Sequence, residues 1–172
     1  ADRGGYIFDP QVGLFEDVHE LDFSSLYPNI MIEHNVSPDT VLCDCHPDRT
    51  VVPELGYNIC QQRGLIPDVL QPIVENRDAI KVAMKETDDP EQLARLEERS
   101  DALKWILVTC FGYQGYKNSK FGRIEAHEAI NAYARDILLR AKEAFEAGGW
   151  KIIHGIVDSI WVRANPGEEQ VS

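Results

Sequence analysis

The chain has 172 residues, 44% of them hydrophobic, which is enough to bury one core with or without an inserted subdomain. Lys and Arg number 17 against 29 Asp and Glu, and the net charge of -12 argues, taken alone, against a surface made to grip phosphates. No apolar run approaches the ~18 residues of a membrane span, and the opening ADRGGYIFDP lacks the basic and apolar regions of a signal peptide, so a cytoplasmic location is expected.

The acidity is uneven. Residues 61–123 carry ten Lys or Arg against ten Asp or Glu, so all of the negative excess lies before and after them. The first residue is not Met, as expected of a chain processed or excised from something longer. Cys43, Cys45, Cys60 and Cys110 do not form a secretory framework. Cys43-Asp44-Cys45-His46 with Cys60 has the residue types of a metal site but lacks the second close pair of a zinc spacing; pairing of Cys60 with Cys43 or Cys45 is the other reading.

In chain order, residues 5–12 predict a short strand, and Val18 to Phe23 a second one. A short helix follows over Tyr27 to Glu33, with Pro28 tolerated in its first turn. From Ser37 to Gly64 the chain is rich in Pro, Asp and Gly and reads as irregular, with a short strand at Thr50 to Val52. Ile66, Val69, Leu70, Ile73, Val74, Ile80 and Met84 form one face of a helix over Ile66 to Lys85. After Asp88-Asp89-Pro90 a second helix runs to about Cys110, making an antiparallel hairpin with arms of roughly 30 Å, and Gly112 to Tyr116 breaks it. A third helix over Ile124 to Ala147 stops at Gly148-Gly149. Two strands, Trp150 to Val157 and Ile160 to Arg163, then place Asp158 at the tip of a β-hairpin. The fold class is α/β in the α+β sense: an antiparallel sheet flanked by helices, with a projecting helical hairpin.

Asp22 and Asp158 each follow an apolar strand and are expected to reach one sheet edge. Carboxylates converging from separate strand ends are what two-metal phosphoryl transfer requires, with divalent ions about 4 Å apart. An Asp after a strand is otherwise a common turn former, so the pair alone does not decide. Strand alternation puts Glu20 on the same face as Asp22, where it or Asp17 could add a carboxylate.

The order of motifs says more. Leu21 to Thr40, LDFSSLYPNIMIEHNVSPDT, resembles motif A and its continuation in archaeal family B DNA polymerases. Leu65 to Lys104 resembles their fingers, Lys104 to Tyr116 motif B, and Lys151 to Val162 motif C. The resemblance covers about Gly4 to Gly167 and implies a palm in two parts, 1–64 and 114–172, with fingers at 65–113. It implies Asp22 and Asp158 as catalytic residues that hold Mg2+, or Mn2+ in its place, helped by the backbone carbonyl of Phe23. By the same resemblance Phe23, Ser24, Ser25, Leu26 and Tyr27 line the incoming dNTP, and the Tyr27 ring lies beneath the sugar and excludes a 2'-hydroxyl. Arg77, Lys81 and Lys104 would contact the triphosphate, and Phe111 would keep the ring that stacks on the base. Arg77 and Lys81 are one turn apart and Lys104 comes from the facing helix, so all three can address one anion. Primer-template DNA, dNTP and the exonuclease and thumb parts of a larger assembly are the expected partners, with no membrane.

The departures bear on activity. Motif B normally has Asn four residues after its Lys; here Val108 stands there, followed by Cys110-Phe111 in place of an aromatic pair. Motif C normally reads Tyr, any residue, Asp, Thr, Asp; here it is His154-Gly155-Ile156-Val157-Asp158, with Ile156 in place of the first Asp. Lower ligand charge weakens ion binding, so nucleotidyl transfer is expected to be reduced or lost. The alternative is a silent polymerase-like protein that binds nucleotide or DNA or serves in assembly. A third reading, an acidic domain whose hairpin docks a basic protein, leaves the ordered motifs unexplained.

Overall fold

A three-stranded antiparallel sheet carries the carboxylates. In a computed structural model that describes residues 4–165, the elements run β1 (Val18–Asp22), α1 (Leu26–Glu33), α2 (Leu65–Glu86), α3 (Pro90–Gln114), α4 (Ile124–Ala147), β2 (Trp150–Ile156) and β3 (Ser159–Ala164). The chain divides into two compact units, one of Ala1–Leu26 with Asn131–Ser172, the other Tyr27–Ile130. No helix among the described residues is long and apolar enough to cross a membrane.

In the first unit the sheet order is β1-β3-β2, so β3 is central. Period-two alternation sorts its side chains. Ile160 and Val162 of β3 are buried, and with Ile152 of β2 and Leu138 of α4 they form a core against which Phe8, Phe23, Phe145 and Trp150 pack. Leu21 shares that face but stays 41% exposed, because a hollow of about 670 Å³ opens beside it between β1 and the end of α4. The opposite face carries Glu20, Asp22, Ser159 and Trp161.

The segment predicted as a strand over 5–12 is reduced to one bridge, Ile7 to Ile156, with Phe8 N–H donating to Gly155 O at 2.8 Å and Gln11 N–H to Ile153 O at 3.1 Å. It lies along β2 so closely that a Cβ on Gly155 would stand 2.2 Å from the Phe8 ring. Glycine is the residue that lets the two backbones approach.

In the second unit α2 and α3 form the predicted antiparallel hairpin. At about 1.5 Å per residue, their 22 and 25 residues give arms of roughly 33 and 37 Å. Asp89 caps α3 by accepting from Glu91 N–H, and Pro90 sits where no helical donor is lost. The predicted break at Gly112 does not occur. Helix α3 continues through Gln114 and ends at Gly115.

The N-terminus of α2 has no capping side chain of its own, since Gly64 precedes it. Its first donors are satisfied from elsewhere in the chain: Leu65 N–H reaches the Asp39 carboxylate at 3.2 Å and Ile66 N–H reaches Ser37 Oγ at 3.2 Å. Asn35 holds the same corner, donating to Cys60 O and Gln62 O while its Oδ1 accepts from Gly64 N–H. A Cβ at Gly64 would meet Ser37 Cβ at 2.6 Å, so this corner also closes on a glycine. The polar run after α1 is therefore an anchor for the hairpin.

Candidate active site

Strands β1 and β3 pair Asp22 with Ser159, and β3 and β2 pair Ser159 with Ile156. Cross-strand partners share a face, so Asp22, Ser159 and Ile156 form one row across the sheet. Ser159 Oγ donates to Asp22 Oδ2 at 3.1 Å, fixing the carboxylate's direction. Phe23 N–H donates to Asp158 O at 2.8 Å, which ties the end of β1 to the turn between β2 and β3. Burial, and then the negative charge of Asp22, push the Asp158 carboxyl above its ordinary value. The charge of Asp22 thus reaches the Asp158 carboxyl, and the Ser159 hydroxyl next in the chain is bonded to Asp22. Glu20 lies one step away on the same face, opposite Trp161.

The turn that presents Asp158 is strained. Val157 has φ 55°, a left-handed conformation that a β-branched residue adopts at a cost of about 1–2 kcal/mol. Its N–H is held by Tyr6 O at 2.9 Å, so the strained geometry is pinned from the side. Ile156, next to it, is 36% exposed, an apolar side chain standing in the carboxylate row.

Ser24 and Ser25 make the turn after β1, with Ser25 at φ 51°, and Leu26 is buried at the start of α1. In the second unit Tyr27, Phe111 and His127 stack. The Tyr27 and Phe111 ring centroids are 4.0 Å apart with planes 10° from parallel, and Phe111 and His127 are 4.2 Å apart at 19°. Two rings this close to a third cannot share one face, so Phe111 is sandwiched and only its edge is open to a base. His127 was not legible as part of any site, since no motif or spacing points to it.

Of the three cations, Arg77 is directed inward across the hairpin, its Nε donating to Ser100 O at 3.4 Å. Lys81 leans on Asp78 at 3.5 Å, and Lys104 is exposed. Lys81 follows Arg77 by one turn and Lys104 follows Ser100 by one turn in the opposite direction, about 6 Å of rise in each case. An anion addressed by all three requires both Lys side chains to lean toward Arg77. Val108 is 56% exposed on α3, so the position of the family's Asn is open to solvent on this unit.

The sequence model for DNA polymerase family B matches residues 1–167. The chain belongs to DNA polymerase family B. This family B chain is 42% identical over 167 residues to a DNA polymerase 2 from Saccharolobus solfataricus, a match covering 96% of the chain and 24% of that protein. It is 35% identical over 170 residues to a DNA polymerase 1 from Pyrococcus abyssi, covering 96% of the chain and 22% of that protein. Among solved structures, the family B DNA polymerase from the hyperthermophilic archaeon Pyrobaculum calidifontis superposes with a TM-score of 0.78 at 37% identity, over 96% of this chain and 22% of that one. The chain thus spans about a quarter of the length of these relatives.

Proposed function

We propose that this chain is the palm (1–64 and 114–172) and fingers (65–113) of a DNA polymerase, built to transfer the nucleotidyl group of a dNTP onto a primer 3'-hydroxyl, with turnover depressed by Ile156. The row Asp22, Ser159, Ile156 carries the proposal, because it aligns an ordered carboxylate with an exposed isoleucine across one strand. Asp22, Asp158 and the Phe23 carbonyl would hold the divalent ions, Mg2+ or Mn2+. Their donors are all oxygen, as hard cations require, and the Asp158 carboxyl is raised first by its burial and then by the negative charge of Asp22. When bound, such ions activate the attacking hydroxyl and neutralise the leaving pyrophosphate. Ile156 supplies no charge to that set, so affinity for the ions falls.

The remaining roles follow the same reading. Phe23 to Leu26 line the nucleotide, and Tyr27 bars a 2'-hydroxyl because a ring against C2' leaves no volume for oxygen. Phe111 acts through Tyr27 as a positioning residue, since both of its faces are taken. Arg77, Lys81 and Lys104 supply charge to the triphosphate, Arg77 aimed by the Ser100 carbonyl. Primer-template DNA and the exonuclease and thumb parts complete the assembly.

The second reading, a silent nucleotide-binding protein, is favoured by the same Ile156. Primer extension in Mg2+ and in Mn2+ by the chain, by Asp22→Ala and by Ile156→Asp separates the two. Weak extension that Asp22→Ala abolishes and Ile156→Asp raises about tenfold, worth roughly 1.4 kcal/mol in the barrier, supports the polymerase. No extension by any of them, with binding that prefers dNTP to NTP and loses that preference in Tyr27→Ala, supports the silent binder. Absence of dNTP binding refutes both.

A further inference from the structure

Between α1 and α2 the chain forms a long irregular segment that brings four soft donors together. The Sγ atoms of Cys43, Cys45 and Cys60 and a ring nitrogen of His46 all lie within 4.8 Å of one another. Cys45 Sγ and Cys60 Sγ are 3.4 Å apart, Cys43 Sγ is 3.8 Å from His46 Nδ1, and Cys60 Sγ is 3.6 Å from the same nitrogen. A tetrahedral zinc ion with bonds of about 2.3 Å to sulfur and about 2.0 Å to nitrogen sets edges of roughly 3.8 Å between sulfurs and roughly 3.6 Å between sulfur and nitrogen. These three edges match to within about 0.4 Å, and the other three are no longer than 4.8 Å.

Neither a disulfide nor hydrogen bonding among the four groups accounts for this convergence. A disulfide needs sulfurs at about 2.0 Å and uses two of the four groups, leaving a cysteine and a histidine converging without cause. Mutual hydrogen bonding offers little, because a thiol is a weak donor and a weak acceptor. Three sulfurs with one imidazole is instead a donor set for zinc, with no carboxylate to favour a harder ion.

The backbone around the donors is already fixed. Asn58 Nδ2 donates to Cys43 O at 2.6 Å and to His46 O at 2.9 Å, which closes the turn that carries three of the donors. It also lies 3.5 Å from Cys43 Sγ, where an N–H would support a metal-bound thiolate. Cys60 is set by its N–H donating to Thr40 O and by the bridge between Val41 and Ile59. Cys60 is buried and Cys45 exposed, so the cluster has a closed side and an entry.

We propose that Cys43, Cys45, His46 and Cys60 bind one structural zinc ion that pins residues 41–60. The proposal is independent of the polymerase reading. Its test is the metal content of the purified full chain, measured by mass spectrometry of the element, and the absorption of the apo chain titrated with Co2+. One equivalent of zinc is expected, lost in Cys43→Ser and in Cys60→Ser and kept in Cys110→Ser. The unmutated apo chain is expected to give intense thiolate-to-cobalt charge transfer and tetrahedral ligand-field bands, a readout that survives even if the serine variants fail to fold. A weak octahedral cobalt spectrum overturns the proposal, as does zinc content unchanged by Cys60→Ser. So does a metal-free chain whose intact mass is lower by two hydrogens, which marks a disulfide.

Discussion

Replacing Gly155 with Ala tests the close approach that seats β2 against the N-terminal segment. The new Cβ would lie 2.2 Å and 2.5 Å from two carbons of the Phe8 ring, where ordinary carbon contacts are about 3.5–4.0 Å. The ring must move by more than about 1 Å. Phe8 cannot shift as a whole without loosening its N–H bond to Gly155 O, and swinging the ring lifts it off the cluster of Leu138, Ile152, Ile160 and Val162. Overpacking costs about 1–3 kcal/mol, and losing part of a half-buried Phe adds about 1 kcal/mol at most, so a destabilisation of about 2 kcal/mol is expected. At about 2–4 °C per kcal/mol for a chain of this size, the melting temperature should fall by about 4–8 °C. Thermal denaturation followed by circular dichroism reads this directly. In a Phe8→Ala background the clash has no target, so Gly155→Ala should then cost under about 0.5 kcal/mol. Equal cost in both backgrounds would refute the reasoning, because it would place the burden on backbone strain at Gly155 instead of on the ring.

Val157→Gly should stabilise the chain by about 0.5–1 kcal/mol, since relief of left-handed strain exceeds the added freedom of the unfolded glycine; a raised denaturant midpoint with unchanged slope is the readout. Asp158 has a folded pKa above its unfolded one, so the native state holds the proton more tightly and stability falls as pH rises from the ordinary Asp range through the folded value. Asp158→Asn should therefore melt above the parent at neutral pH in EDTA and lose that advantage below about pH 4. Arg123 donates to Val41 O at 2.7 Å and Pro38 O at 3.2 Å, and Arg123→Ala should cost about 1–3 kcal/mol and speed tryptic cleavage after the exposed Arg49.

The long helices and the terminal hairpin were legible because their periods repeat over many residues. Helix α3 overran its predicted end because one internal glycine costs only about 1 kcal/mol, and the stacking of Phe111 between Tyr27 and His127 holds the last turn. The expected strand at 5–12 shrank to a bridge, since its residues follow β2 with irregular spacing. Asp22 was legible as a strand end and Asp158 as the tip of a hairpin, and the register now puts Ile156 in one row with Asp22 and Ser159. What stayed hidden shares one property: it depends on side chains bonding to distant backbone, as Asp39 and Ser37 do at the start of α2 and Asn58 does around Cys43 and His46. Such bonds leave no period in a sequence. The cysteine and histidine cluster was half visible by residue type, but its closure comes from the bridges Val41 to Ile59 and Thr50 to Asn58, not from a second close pair.

The three stacked rings come from three different helices, Tyr27 from α1, Phe111 from α3 and His127 from α4. A laminate of this kind is stiff in one direction and soft in two. Prising the rings apart sacrifices stacking worth about 0.5–1.5 kcal/mol per pair beyond the area exposed, whereas sliding them over one another costs far less. Displacement of α3 along the ring normal is therefore resisted by the stacking more than displacement within the ring plane. The last turn of the long arm is thus bound face to face with the tyrosine near the start of α1.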